Sequence, residues 1–159
     1  EYFHNFQVVN YQIPFENIMI YASPDLVAEN YEDEFWIVEL KTSARPETLK
    51  ALDFQTISYI WAKYKWDYQL PKGVLKRIIR KPLIKQTKKE TPEEFQDRLI
   101  KDYVNRPEFY FISMSTEVTK DTIKNFEKYL REICREMYSV IESKNEYKFW
   151  RPTDVSWEE

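Results

Sequence analysis

The 159-residue chain contains a single glycine, Gly73. Phosphate-cradling loops need several glycines in close succession, so that backbone N–H groups can approach the phosphate. P-loop and dinucleotide-binding readings fall with that scarcity. There is one cysteine, Cys134, and one histidine, His4. A zinc centre built from cysteine and histidine is therefore excluded, as is a disulfide framework. A lone reduced cysteine fits an intracellular, cytoplasmic protein. No apolar run is long enough to span a bilayer, and no signal peptide is expected. Excess positive charge is also missing. With 24 basic and 27 acidic residues the net charge is −3, which argues against a uniformly basic nucleic-acid coat but leaves room for a local patch.

What is present is apolar and aromatic material, 43% hydrophobic and 17% aromatic, enough for one domain with a core across residues 1–159. The charged residues are interspersed with apolar ones, so disorder is not expected. Hard chemistry is left to carboxylates, lysines and a metal ion. The chain opens at Glu1 without a methionine, and we expect it to lack a preceding segment.

Residues 7–12 and 16–21 read as strands split by Pro14. Asp25 to Glu29 is a short extended run, and Asn30 to Asp33 a polar turn. Phe35 to Lys41 is the strongest strand signal, aromatic and β-branched. Pro46 and Glu47 suit the start of a helix running to about Lys63. Lys72 to Ile79 is a further strand. Thr91, Pro92 and Glu94 form a capping box opening a helix to about Val104. Glu108 to Met114 reads as a strand. Thr119 to about Glu142 reads as a long helix with Ile123, Phe126, Leu130, Ile133, Met137 and Ile141 on one stripe. Cys134 beside that stripe reads as a small core residue. Residues 143–159 read as an irregular tail. The order predicts an α/β (α+β) fold with a central mixed β-sheet flanked by helices.

Side chains alternate along a strand, so Phe35, Ile37, Glu39 and Lys41 share one face and Trp36, Val38 and Leu40 the other. Apolar residues on both faces predict a sheet covered on both sides. Glu39 and Lys41 then end an otherwise buried row, costly for charged groups unless they are paired or metal-bound. If residues 30–33 turn the chain back, a register centred on Glu32 places Asp25 opposite Glu39, with Cβ atoms about 4.5–5.5 Å apart. Two carboxylates so placed can hold a hard cation such as Mg²⁺, and a slip of one residue would send Asp25 to the wrong face. A cation there suits phosphodiester hydrolysis, with Lys41 orienting water or stabilising transition-state charge. In the following helix, Leu52, Gln55, Tyr59 and Ala62 fall on one stripe. Gln55 is a polar residue on what should be the buried face, needing partners.

Pro24-Asp25, Glu39-Leu40-Lys41 and Gln55-x-x-x-Tyr59 together resemble the PD-(D/E)xK nuclease signature, and the trailing Gln-x-x-x-Tyr resembles its RecB-like and phage exonuclease branch. The likeness covers roughly Ile18 to Ile141. It implies a restriction-endonuclease-like core. It implies Asp25, Glu39 and the Leu40 carbonyl as ligands of Mg²⁺ or Mn²⁺, Lys41 as catalytic, and Gln55 and Tyr59 as supporting the site or the DNA. The family usually has a helix before the sheet that carries a further acidic or histidine ligand. This chain starts too late to show one, and His4 and Glu1 are poor substitutes. Many RecB-like members hold a four-cysteine iron–sulfur cluster, which is not expected here.

Residues 71–89 carry Lys72, Lys76, Arg77, Arg80, Lys81, Lys85, Lys88 and Lys89 with no acid. They read as a groove for DNA phosphates or as a solvated strand edge and loop. Trp61, Tyr64 and Trp66 could stack on unpaired bases, though such residues more often pack in a core. The expectation is a metal-dependent deoxyribonuclease, acting as an exonuclease in recombination, repair or phage DNA metabolism. Its partners would be DNA and, for processivity, a helicase, a recombination protein or further copies of itself. Its setting would be a bacterial cytoplasm, including that of a phage-infected cell. The alternative is an inactive nuclease-fold module that binds DNA or a partner protein; RNA cleavage ranks third. Glu146-Tyr147-Lys148 repeats the acid-x-Lys triplet without its context and is assigned nothing.

Overall fold

A computed structural model describes residues 3–143. Strands β1 (Phe3–Gln7), β4 (Leu26–Asn30), β5 (Phe35–Ser43), β6 (Gly73–Arg80) and β7 (Phe111–Glu117) form a five-stranded mixed sheet in the order β1-β4-β5-β6-β7. Helices flank it: α1 (Phe54–Asp67), α2 (Pro92–Asn105), a single turn α3 (Pro107–Tyr110) and α4 (Lys120–Ser143). Strands β2 (Tyr11–Phe15) and β3 (Ile18–Ala22) pair separately as a hairpin. The mixed sheet with flanking helices is the architecture expected from the sequence.

The residues fall into two compact units, one made of the chain up to Glu39, Lys50–Leu75 and the chain from Ser115, the other of Leu40–Leu49 and Lys76–Met114. In the first, strand alternation builds two apolar layers. Val27, Ile37 and Val74 join Ile57, Ile60, Trp61, Ile123, Phe126, Leu130 and Cys134 in the larger one. Ala28, Trp36, Val38 and Leu75 form the smaller. Both faces of β5 are thus covered from Trp36 to Glu39 but not beyond, where Leu40 is exposed, and Cys134 is a core residue as expected. The α4 stripe is buried at Ile123, Phe126 and Leu130, but Met137 and Ile141 are exposed.

Several element boundaries differ from the sequence expectation. Pro14 lies inside β2 rather than between strands, because a two-stranded ribbon leaves backbone positions outside the ladder where its missing N–H costs nothing. Pro46 starts only a 3₁₀ turn, Pro46–Thr48. The helix begins later, at Phe54, behind a capping box in which Asp53 Oδ1 accepts from Thr56 N and Thr56 Oγ1 accepts from Asp53 N. Residues 108–110 are helical because Pro107 occupies a first helical position; the strand starts at Phe111. Ser143 belongs to α4, and the rest of the expected tail, with Glu146, Tyr147 and Lys148, lies outside the described residues, as does Glu1.

In the second unit, α2 carries the predicted capping box of Thr91 and Glu94. The Asp102 carboxylate accepts from Arg106 and from the buried Tyr110 hydroxyl, and Tyr103 stacks on Tyr110 at 4.0 Å.

With one glycine available, left-handed backbone positions fall to other residues. Glu16, Asn17, Asp33 and Tyr68 all have positive φ. Gly73 serves a different need. A Cβ there would lie 2.1 Å from the Thr116 carbonyl oxygen.

Candidate functional site

The β4–β5 hairpin sets the geometry of the candidate site. Leu26 pairs with Val38, Val27 with Ile37 and Glu29 with Phe35. That is the register centred on Glu32 expected from the sequence; the pairing ends at Leu26 and Val38, the neighbours of Asp25 and Glu39. The sequence did not reveal what holds this register. The loop is three residues long with Asp33 left-handed at φ 59°, a common hairpin geometry. Buried Asn30 fastens it: Oδ1 accepts from Glu32 N at 3.0 Å and Glu34 N at 2.9 Å, and Nδ2 donates to Glu34 Oε2 at 3.0 Å. Asparagine at the head of a polar turn was the available signal.

Glu39 is 1% exposed, at the end of the buried run of β5. Asp25 is exposed, just before β4, and Pro24 beside it is buried. Lys41 follows Glu39 by two residues in the same strand and is half-buried. The Leu40 side chain is 57% exposed. Among the described residues no group of three or more histidine, cysteine or acidic side chains is placed to hold a metal ion. A divalent ion would thus depend on Asp25, Glu39 and backbone oxygen. These are hard donors, and Mg²⁺ commonly takes only one or two carboxylates and keeps several waters. The donor set fits Mg²⁺ or Mn²⁺ and not a soft metal.

Gln55 is exposed rather than on the buried face of α1, a correction: it sits in the first turn, and the core is met instead by Thr56 and Ile57 beside it. The buried residues of α1 are Thr56, Ile57, Ile60, Trp61, Ala62 and Lys63, so Ala62 of the expected stripe is buried, as is Leu52 ahead of the helix. Gln55 Nε2 donates to the Tyr59 hydroxyl at 2.8 Å, one turn along. Trp61 is a core residue whose Nε1 donates to Glu127 Oε2 at 3.0 Å. Tyr64 packs half-buried against the same core. Trp66 is exposed beside Tyr11. His4 stacks on Tyr31 at 5.0 Å, at the surface as expected.

The basic segment divides. Lys76 is 1% exposed, on the Val74–Ile78 face of β6, and is no surface phosphate contact. Its place in the alternation of an apolar strand was the missed signal. Arg80 is taken up by Glu47 at 3.2 Å, the Phe109 ring at 4.4 Å and the Phe109 carbonyl oxygen at 3.1 Å. Lys72 pairs with Glu34 at 3.1 Å and Glu117 at 3.7 Å, and its hydrogen bond to Glu34 raises its pKa. Arg77, Lys81, Lys85, Lys88 and Lys89 are exposed. The unit holding them has 12 basic and 7 acidic residues, a net charge of +5; the other has 12 and 20, a net −8.

Comparison with protein-family models, with curated proteins and with solved structures found no match. No described helix is long and apolar enough to cross a membrane.

Proposed function

We propose that the chain is a metal-dependent deoxyribonuclease of the PD-(D/E)xK kind, with a restriction-endonuclease-like core, acting as an exonuclease in DNA recombination, repair or phage DNA metabolism. The observation that supports this reading is the β4–β5 register, in which Leu26 pairs with Val38, the residues next to Asp25 and Glu39, with Glu39 in a buried strand two residues before Lys41. Asp25, Glu39 and the Leu40 carbonyl would hold Mg²⁺ or Mn²⁺. When bound, such an ion supplies charge to polarise a phosphate and to acidify water. Glu39, fixed in a strand, lends the site a rigid carboxylate. Lys41 offers an ammonium for charge on the phosphate oxygens or for orienting the nucleophilic water. Gln55 and Tyr59, bonded to each other, would offer one polar pair to the site or the DNA. Exposed Arg77, Lys81 and Lys85 provide for the backbone phosphates; a helicase, a recombination protein or self-association would add processivity.

Linear DNA incubated with Mg²⁺ or Mn²⁺ should be degraded, and EDTA should stop it. Glu39→Ala and Lys41→Ala should each lower the rate by roughly 10²-fold or more. Cleavage that persists in both variants would falsify the assignment. The second reading is an inactive module of the same fold that binds DNA or a partner protein. It is favoured by the absence, among the described residues, of a third acidic or histidine ligand. DNA binding with no cleavage under either metal selects it.

A further inference from the structure

The second unit contains a cavity of about 500 Å³ whose lining includes Leu40 and Lys41, so it adjoins the proposed nuclease site. It opens on the sheet among Leu40, Thr42, Arg77, Ile79, Phe111 and Ser113. Its volume is in the range of small-ligand sites. Three large apolar side chains in it are half-open to solvent: Leu40 at 57%, Ile79 at 43% and Phe111 at 54%. Exposed apolar residues are ordinary when scattered, but clustered around one concavity they mark a binding surface.

The polar part of this surface is cationic. Arg77 is exposed, and its Nη1 donates to Ser113 Oγ. A guanidinium carries five N–H donors in a rigid fork, so fixing one nitrogen orients the rest. Phe111 packs against Tyr103, ring centroids 5.9 Å apart and tilted by 55°, and Tyr103 is itself stacked on Tyr110 and donates to the Arg80 carbonyl oxygen at 3.3 Å. The ring is thus held while remaining exposed. Around it the unit carries its net +5, with Lys81, Lys85, Lys88 and Lys89 exposed along the chain that follows β6.

A fixed aromatic face, apolar walls and an oriented guanidinium in a cationic unit match one ligand chemistry: a flat, apolar ring attached to an anion. We infer that this cavity binds single-stranded nucleic acid, an unpaired base stacking on Phe111 and the adjoining phosphate meeting Arg77. Stacking is sequence-tolerant because every base has a π-face. Paired bases in a duplex cannot offer theirs, so the surface selects single strands. The choice of nucleic acid rests on the nuclease reading; the choice of single strand, and of these residues, does not.

Binding of a fluorescein-labelled oligothymidine is measured by anisotropy in EDTA, so that no cleavage contributes, at several salt concentrations. Wild type should bind the single strand more tightly than a duplex of equal length. Phe111→Leu keeps the apolar volume and loses the π-face; it should weaken binding roughly tenfold, whereas Phe111→Tyr should restore it. Arg77→Ala should weaken binding and lower the slope of log K against log salt by about 1. Circular dichroism of each variant confirms folding. Equal affinity of wild type and Phe111→Leu for the oligonucleotide overturns the inference, even if the protein degrades DNA. So does preference for the duplex. Loss of binding in Phe111→Leu sustains it, even if wild type with Mg²⁺ cleaves nothing and the nuclease reading falls.

Discussion

The two units of the chain are held together by different physics. The first buries aliphatic and aromatic side chains in two layers, with Ile37, Ile57, Ile60, Trp61 and Phe126 fully enclosed. In the second, helix α2 has no buried residue, and arginine-centred contacts carry the structure: Arg98 on Glu90, Arg106 on Asp102, Arg80 on Phe109. One unit is acidic and apolar inside, the other basic and laced with polar bonds. The comparison teaches that the candidate carboxylates Asp25 and Glu39 sit in the unit best able to resist distortion, while the cationic surface sits in the unit most responsive to salt and pH. Burial of apolar area is insensitive to both, whereas exposed ion pairs are screened and titrated.

The largest effect expected from this contrast comes from Trp61→Ala, which empties the main core and should cost about 3–5 kcal/mol of stability. Phe95→Ala in α2, whose ring is half-buried near Arg98, should cost about 1 kcal/mol. Urea denaturation of both variants measures the gap, and equal losses would erase the distinction between the units.

Next is Asn30→Ala. It leaves the Glu32 and Glu34 amides without their acceptor, at about 2 kcal/mol. Hydrogen exchange at those two amides should accelerate, and nuclease activity, if the register matters, should fall with it. Unchanged exchange would show that the hairpin register does not need this side chain.

The smallest effect concerns acid. Arg98 and the Thr87 amide hold the Glu90 carboxyl down at about 2, against an ordinary 4.5. A depressed carboxylate pKa contributes stability that is complete above pH 4.5 and is lost as pH falls toward 2. Replacing it, Glu90→Gln, should flatten that part of the acid profile. A profile identical to wild type removes this ion pair from any role in the second unit.

Much of this was legible beforehand. Strand β5 announced itself by β-branched and aromatic residues on both faces. The Thr91–Glu94 box fixed the start of α2 because capping is a local interaction, readable over four residues. The Glu32-centred register followed from one turn signal and period-two alternation. The rest was hidden for physical reasons. Asp53 was eclipsed by Pro46, an equally plausible start, and the exposure of Gln55 depends on which side of α1 meets the core, which spacing alone did not decide. Pro14 looked like a break because a sequence does not say whether a strand lies in a sheet or a ribbon. The burial of Lys76 depends on tertiary packing, and charge alone read it as a surface group. Asp25 and Glu39 were proposed from their spacing and resemblance, while the Phe111 cavity has no linear motif at all.

The turn of the β2–β3 hairpin has a consequence for how mutants are judged. Glu16 stands in left-handed backbone, and its carboxylate is gripped by Arg131 and Arg135 of α4. Glycine at that position would relax the peptide and at the same time release the helix from the hairpin. The two changes oppose each other, so a melting curve could come out flat. A silent substitution at residue 16 would then conceal a severed tether, detectable only by a probe of the hairpin itself.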